Sequence, residues 1–238
     1  MLGLLTIGQS PRPDIVESMF GCRPAWCLEF GALDGLSRQE VAALAPAAAE
    51  HPLVTRLRTG EEVTVAKERL LPFLQRAADA AVDAGATLLV VLCTGTFGGL
   101  RAPVPLLYPD QLLVAIVNAL LPSGTLGVVM PHPGQYTAMK RKWALAGRRF
   151  VGVVASPYVA SPSLAAAGRE LAARGADLIV LDCMGFTQEM KRAVVEGSDR
   201  PVILANRLIG RVIEELLNGV DVCPGVGERR MPGLPYGP

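Results

Sequence analysis

The sequence predicts an α/β fold of two pseudo-symmetric Rossmann-like halves, each with a parallel sheet, facing each other across a cleft. Three observations predict it. Short apolar runs alternate with segments of helical periodicity, the pattern of βαβ units joined by right-handed crossovers. The stretch Gly85-Ala86-Thr87-Leu88-Leu89-Val90-Val91-Leu92-Cys93-Thr94-Gly95-Thr96-Phe97 returns as Gly175-Ala176-Asp177-Leu178-Ile179-Val180-Leu181-Asp182-Cys183-Met184-Gly185-Phe186-Thr187. Each copy has a glycine that ends a helix, a buried strand, a thiol at the strand's end, and a glycine two residues on. Finally, Leu2-Gly3-Leu4-Leu5-Thr6-Ile7 is echoed by Leu126-Gly127-Val128-Val129-Met130-Pro131. Ligands of open α/β sheets bind at the C-terminal ends of the strands, so both thiols are expected on the ligand side.

In chain order, residues 2–7 form a first buried strand that ends in Gly8-Gln9-Ser10-Pro11-Arg12-Pro13-Asp14. Gly8 permits a tight turn, and Ser10 ahead of proline is helix-start chemistry for a short helix over residues 14–20. Backbone N–H groups at such a junction suit a carboxylate or phosphate, although neither the GxGxxG fingerprint nor a Walker loop is present. Arg12 is expected to be solvated. Residues 25–30 form a second strand, and Ser37 with Glu40 has the spacing of a capping box opening a helix to residue 49. Residues 53–57 and 62–66 flank Arg58-Thr59-Gly60-Glu61 as a β-hairpin. Residues 67–84 form an amphipathic helix, with Leu70, Leu74, Ala78 and Ala81 at helical spacing and Gly85 at its C′ position. The Cys93 strand follows, then a short strand at 104–107, where Pro105 points to an edge, and a helix over 109–121.

The second half repeats the order. Its strand at 126–131 leads into Pro131-His132-Pro133-Gly134-Gln135 and a helix over 136–146. A strand over 150–155 precedes a helix over 164–174, started by Pro162-Ser163 and ended by Gly175. The Cys183 strand leads to a helix at 188–195. A strand at 201–204 then gives way to a last helix capped by Asn206 and closed by Gly219. The halves differ chiefly in the extra sequence of residues 22–66. Two domains are expected: residues 1–107 together with 206–238, and residues 108–205. Residues 223–238, rich in proline and glycine, form a tail.

The 238 residues are 50% hydrophobic and 19% charged, enough for a sizeable core, with 23 basic against 22 acidic side chains. That balance gives no footprint for nucleic acid, and no polybasic helix points to a membrane surface. No run approaches the roughly 20 apolar residues of a spanning helix, and residues 2–7 are too short for a signal core, so a cytoplasmic protein is expected. Five cysteines without a secretory signal argue for reduced thiols. The two histidines and the absence of CxxC give no zinc-ligand spacing, so neither metal nor cofactor is expected.

One base on each side of a carbon is the minimum equipment for inverting a stereocentre without a cofactor. A thiol can serve if its pKa lies near working pH, and a helix N-terminus lowers it. Cys93 and Cys183 are therefore the candidate acid/base pair. Thr94, Gly95 and Thr96 on one side, and Met184, Gly185, Phe186 and Thr187 on the other, offer donors to a carbanion beside a carboxylate. Free cysteine also simply fills cores, and duplication would copy a core cysteine at no extra cost. The strand-end position decides for catalysis, whereas Cys22, Cys27 and Cys223 lack that context and read as structural. His132 follows the second half's first strand and would face the cleft, although a surface histidine is the plainer reading. Asp182 either orients a partner or bonds a backbone amide.

The paired strand-end cysteines resemble the aspartate/glutamate/hydantoin racemase superfamily. More closely, Leu5-Thr6-Ile7-Gly8-Gln9-Ser10-Pro11-Arg12, Leu92-Cys93-Thr94-Gly95-Thr96-Phe97, Ala155-Ser156-Pro157-Tyr158 and Leu181-Asp182-Cys183-Met184-Gly185-Phe186-Thr187 resemble the AroM family over all but the tail. The resemblance implies an Asp/Glu racemase-like fold with the site between the halves, the last helix returning to the first half, and a homodimer. Carried over, Cys93 and Cys183 match the superfamily's catalytic thiols, Gly8, Gln9 and Ser10 its first substrate loop, and Thr94 its donor after the cysteine. Thr-Gly and Met-Gly replace the Asn-Thr or Thr-His that commonly follow the cysteines of amino-acid racemases, which argues against unmodified aspartate or glutamate. The expectation is a cofactor-independent racemase or isomerase of a small carboxylate-bearing or cyclic substrate. The alternatives are a single-cysteine nucleophilic isomerase or decarboxylase, or a non-catalytic binding or regulatory protein linked to aromatic metabolism.

Overall fold

The computed structural model describes residues 1–158 and 164–217. The expected tail at 223–238, the closing glycine Gly219 and the helix-start pair Pro162-Ser163 lie outside them. Four parallel strands form the first sheet, in the order β2 (Cys27–Gly31), β1 (Leu2–Thr6), β5 (Leu88–Leu92), β6 (Leu106–Leu107). Four more form the second, as β8 (Arg148–Val154), β7 (Gly124–Met130), β9 (Leu178–Leu181), β10 (Val202–Leu204). The two sheets share one strand order, so the duplication read from the sequence is a duplication of topology. Between β2 and β5 the first half inserts the antiparallel hairpin β3 (Pro52–Arg56) and β4 (Glu62–Ala66), paired from Pro52 with Ala66 to Arg56 with Glu62.

Strands covered on both faces are apolar throughout, and their period of two sorts the side chains into separate cores. Leu2 and Leu4 of β1, Val90 and Leu92 of β5, Leu126 and Val128 of β7, and Leu178 and Val180 of β9 meet in one core shared by the halves. Helices α1 (Pro13–Phe20), α4 (Pro109–Leu120) and α8 (Ala205–Leu216) fill it, and α8 packs on α1. The alternate positions face outward: Leu89, Val91 and Cys93 pack with α3 (Lys67–Asp83). Ile179, Leu181 and Cys183 pack with α6 (Leu164–Ala173) and α7 (Gln188–Ser198). The thiols thus continue the outward rows of their strands to the cleft rim. Gly85 and Gly175 follow α3 and α6 at φ 88° and 80°, the left-handed conformation that stops a helix and is open to glycine.

Several local expectations change. The capping box forms, with Glu40 N donating to Ser37 Oγ at 3.3 Å and Ser37 N donating to Glu40 Oε2 at 2.7 Å. Its helix α2 (Arg38–Ala42) nevertheless ends well short of residue 49, since Pro46 cannot continue it. Ser10 caps nothing. Its hydroxyl donates to Asp34 Oδ2 at 2.5 Å, and α1 starts from Arg12 without a side-chain cap. The segment after β7 begins with a 3-10 turn (Pro133–Gln135), and α5 (Tyr136–Lys142) stops where Arg148 Nη2 donates to the Trp143 carbonyl at 2.7 Å. Asn206 is no cap either, because Leu204 holds that position. Cys27, Cys93 and Cys183 are free thiols, but Cys22 is disulfide-bonded. An odd cysteine count argues against a framework of bridges and does not exclude a single one. Among the described residues no helix is long and apolar enough to cross a membrane, and no cluster of three or more His, Cys, Asp or Glu could hold a metal.

Candidate active site

Cys93 directly follows β5, and Cys183 follows β9 by one residue. Both are 8% exposed, and both line a single cleft of about 360 Å³ between the halves. The chain folds back at each glycine, so that Gly95 N donates to Cys93 Sγ at 3.3 Å and Gly185 N to Cys183 Sγ at 3.4 Å. The likeness ends beyond those turns. The Cys183 loop runs into α7, whose first turn is capped by the Thr187 hydroxyl accepting from Met190 N at 3.3 Å. The Cys93 loop runs to β6 and meets no helix.

The expectation of depressed thiol pKa values is overturned. Burial pushes Cys93 up to about 12 and Cys183 up to about 11, while the Gly95 and Gly185 N–H groups only partly oppose it. Desolvation of a buried thiolate outweighs one backbone donor apiece. The thiols also sense each other: a charge on Cys183 raises Cys93 further, and Lys142 pulls it down.

Cys93, Thr94, Gly95, Thr96, Pro131, Cys183 and Met184 line the cleft. Gly8, Gln9, Ser10, His132, Gly185, Phe186 and Thr187 are not among its lining residues, and hydrogen bonds show how most of them are engaged. The Gly8 carbonyl accepts from Leu33 N at 3.0 Å. Gln9 Nε2 donates to Leu33 O at 3.3 Å, and its Oε1 accepts from Arg58 N at 2.9 Å. The Ser10 N–H donates to Asp34 Oδ1 at 2.9 Å. His132 Nδ1 accepts from Gly134 N at 3.0 Å and so organises its own turn. The Phe186 carbonyl accepts from Asn206 Nδ2 at 2.7 Å.

Two networks cross between the halves, and neither is legible in the motifs. In the first, Lys142 Nζ donates to both Asp182 carboxylate oxygens at 2.9 Å and to the Thr94 carbonyl at 2.8 Å. Trp143 Nε1 adds a bond to Asp182 Oδ2 at 2.7 Å, and the Thr94 hydroxyl donates to the Asp182 carbonyl at 3.2 Å. Asp182 therefore orients a partner, which resolves its two sequence readings. Its place beside Cys183, a charge ending an apolar run, was the available signal, because buried carboxylates are paired.

In the second network Arg12 is buried, not solvated. It forks onto Asp14 at 2.9 and 2.8 Å and donates to the Tyr158 hydroxyl at 3.0 Å. Tyr158 lines the cleft together with Cys183, and its hydroxyl lies against Gly185 in the Cys183 loop. Burial works against the Arg12 charge, but Asp14 and Tyr158 outweigh it and hold the guanidinium firmly cationic. Burial, then the nearby Cys183, raises the Tyr158 phenol and keeps it protonated.

The hairpin supplies a wall of the cleft through Pro52, Leu53, Val54 and Thr55. It is pinned to the second half by Gln135 Nε2 donating to Pro52 O at 3.1 Å and by the Ser156 hydroxyl bonded to Glu62. Lys67 and Arg141 line the cleft from opposite halves. Lys67 is the first residue of α3, a position where the helix dipole disfavours a cation.

Three solved structures share this architecture. Arylmalonate decarboxylase without ligand matches at 14% identity and a TM-score of 0.57, over 94% of this chain and 95% of that one. The maleate isomerase Iso from Pseudomonas putida S16 matches at 14% identity and 0.52, over 91% and 92%. Glutamate racemase from Aquifex pyrophilus matches at 12% identity and 0.54, over 90% and 83%. At these identities the likeness establishes the fold. No curated protein matches the chain. The family model described as AroM protein matches residues 2–217, and the chain belongs to that family.

Proposed function

We propose that the protein is a cofactor-independent racemase or isomerase that moves a proton at a carbon of a small, carboxylate-bearing or cyclic substrate. The observation that carries this reading is that Cys93 and Cys183, from matched positions of two duplicated halves, open on one cleft. One thiolate would take the proton from one face, and the other thiol would return one from the opposite face. The Gly95 and Gly185 N–H groups stabilise whichever sulfur carries the charge. Lys67 and Arg141 give the cleft a positive lining that favours an anion, and the hairpin excludes water from one side. Residues 1–107 with the C-terminal helix, and residues 108–205, would act as the two units that grip the substrate.

The experiment follows solvent deuterium entering the substrate carbon across a panel of small acids, with wild type, Cys93→Ser and Cys183→Ser. Both single variants are expected to lose racemisation, and exchange surviving in both overturns the two-thiol scheme. One observation favours a second reading, a single-cysteine nucleophilic isomerase or decarboxylase: of the two thiol loops only that of Cys183 runs into a helix N-terminus, that of α7. A substrate-derived mass increment confined to Cys183 would establish that reading.

A further inference from the structure

Arg12 stands where the loop after β1 meets α1, and its side chain lines the cleft. We propose that Arg12 Nη1 receives the carboxylate of the substrate, which makes Arg12 the binding residue for that group and leaves Lys67 and Arg141 to steering. This deepens the reading of the cleft as a site for a small carboxylate-bearing substrate and rests on it.

A donor count carries the inference. A guanidinium has about five N–H donors and no acceptor. Nε donates to Asp14 Oδ1 at 2.9 Å, and Nη2 donates to Asp14 Oδ2 at 2.8 Å and to the Tyr158 hydroxyl at 3.0 Å. Those bonds leave both Nη1 donors unspent among the described residues, on a side chain only 3% exposed. Nη1 is not sealed from solvent as the unpartnered Thr55 Oγ1 and Gln135 Oε1 are, and the open space that Arg12 lines is the cleft. A buried polar group with unspent donors calls for a partner. Here the partner has to be an acceptor, and a carboxylate makes the stronger, charge-assisted bond.

The charges agree. Arg56 Nη1 stands 4.0 Å from Asp14 Oδ2, so two guanidiniums share one carboxylate and the group keeps a positive charge. Glu29, which accepts from the Arg12 backbone N–H, is matched by Arg23. The receptor is also rigid. Asp14 fixes the fork, and the Arg12 and Arg56 guanidinium carbons sit 5.2 and 5.8 Å from the Tyr158 ring centroid, so little side-chain freedom is left to lose on binding. Its place suits the chemistry. A Cβ at Gly185 would overlap the Tyr158 hydroxyl that Arg12 holds, and Gly185 N donates to Cys183 Sγ at 3.4 Å. A carboxylate on Nη1 therefore lies on the side of the Cys183 loop, with its neighbouring carbon in the cleft that both thiols line. Lys67 is half-buried and Arg141 exposed, so salt screens their attraction more than that of Arg12.

The test needs neither substrate nor turnover, so it can fail while the two-thiol reaction stands, and the reverse. The full chain is alkylated at pH 9 with iodoacetate or with its neutral isostere iodoacetamide, the thiolate displacing iodide in each case, and the rate at Cys183 is followed by peptide mass spectrometry. Both reagents meet the same thiolate, so their rate ratio does not depend on its pKa. In wild type the iodoacetate-to-iodoacetamide ratio should exceed that of a small free thiol by about tenfold, as a charge-assisted hydrogen bond allows. Arg12→Gln should return it to the free-thiol value. Lys67→Gln and Arg141→Gln should lower it less than about threefold, and only at low salt. If Arg12→Gln does not fold, Arg12→Lys takes its place. An ammonium cannot reproduce the fork and still hold a ligand, so the ratio should fall at least about threefold. A wild-type ratio equal to that of the free thiol, which would mean that water alone meets Nη1, overturns the proposal without any variant. A ratio unchanged in a folded Arg12 variant, or one abolished by Lys67→Gln or Arg141→Gln, overturns it as well.

Discussion

Replacing Lys142 by methionine tests how strongly the second half depends on its buried ion pair with Asp182. Lys142 and Asp182 have side chains 7% and 0% exposed. The ammonium spends its three protons on the two Asp182 oxygens and the Thr94 carbonyl. Methionine fills a similar volume, so the loss is not chiefly one of packing. What remains is a carboxylate out of contact with water, held by Trp143 Nε1 alone, and a Thr94 carbonyl without its donor. Removing one partner of a buried pair costs about 3–5 kcal/mol, because the survivor stays charged and desolvated. An exposed pair would cost less than about 1 kcal/mol. For a chain of this size the expected fall in Tm is about 6–20 °C, at roughly 2–4 °C per kcal/mol.

Urea unfolding of wild type, Lys142→Met, Asp182→Asn and the double variant measures the coupling. Asparagine keeps an acceptor for Trp143 and carries no charge. The double variant should therefore be more stable than the sum of the single losses by about 2 kcal/mol or more. A Lys142→Met loss below 1 kcal/mol, or strictly additive losses, would refute the claim that this buried ion pair is energetically coupled.

Gly185→Ala places a methyl against the Tyr158 ring and hydroxyl; a loss of about 1–3 kcal/mol is expected from overpacking, and Gly185→Ala/Tyr158→Ala should recover part of it in urea unfolding. Asn206→Leu orphans the Met184 carbonyl, which accepts from Asn206 Nδ2 at 2.8 Å, and leaves the Phe186 carbonyl only the Ser18 hydroxyl at 3.4 Å. At about 1–3 kcal/mol for each unpaired buried group, the variant should be among the least stable single substitutions, and hydrogen exchange should rise first in the Cys183 loop. The thiols also predict alkaline lability. Burial raises Cys93 to about 12 and Cys183 to about 11, above the value an unfolded thiol has, so the folded state holds protons that the unfolded state releases. Their contribution is fully present below the unfolded thiol pKa and is lost as pH climbs toward the folded values, at about 1.4 kcal/mol per pH unit for each thiol. The Cys93→Ala/Cys183→Ala variant should show a flatter alkaline limb in urea unfolding between pH 9 and 11, and equal slopes would contradict the burial.

What could be read in advance is what depends on neighbours in the chain. The glycines at 85 and 175 stop helices by their own backbone freedom, and β5 and β9 announce themselves by unbroken apolar runs between those stops and the thiols. Ser37 and Glu40 form a capping box within one turn. Side chains that reach across the fold were not legible. Ser10 has the chemistry of a cap and gives its hydroxyl to Asp34, which the β1–β2 pairing brings beside it. Asn206 reads as a cap and instead reaches into the Cys183 loop. Arg12 reads as a solvated loop residue because Tyr158, its partner, stands in the other half. Lys142 reads as one of three basic residues on α5 until the second sheet places Asp182 beneath it. The thiol positions were visible because duplication wrote them twice, whereas their pKa values were not, since these are set by burial.

The two halves repeat each other in strand order, yet each thiol's setting is completed from the opposite half. Thr94, next to Cys93, is held by Lys142 from the second half, while Tyr158, which lines the cleft with Cys183, is held by Arg12 of the first half. Asn206 ties the Cys183 loop to the α8 helix and accepts from Ser18 of α1 at 3.2 Å. A half expressed alone would leave Lys142 without the Thr94 carbonyl, or Arg12 without the Tyr158 hydroxyl. The symmetry of the sheets thus places two thiols at equivalent points, and the asymmetry of the contacts between the halves makes them unequal. Even a symmetric pair would release its protons in two steps, because a charge on one sulfur raises the other. The α7 N-terminus that the Cys183 loop runs into, with no counterpart after Cys93, adds to that inequality.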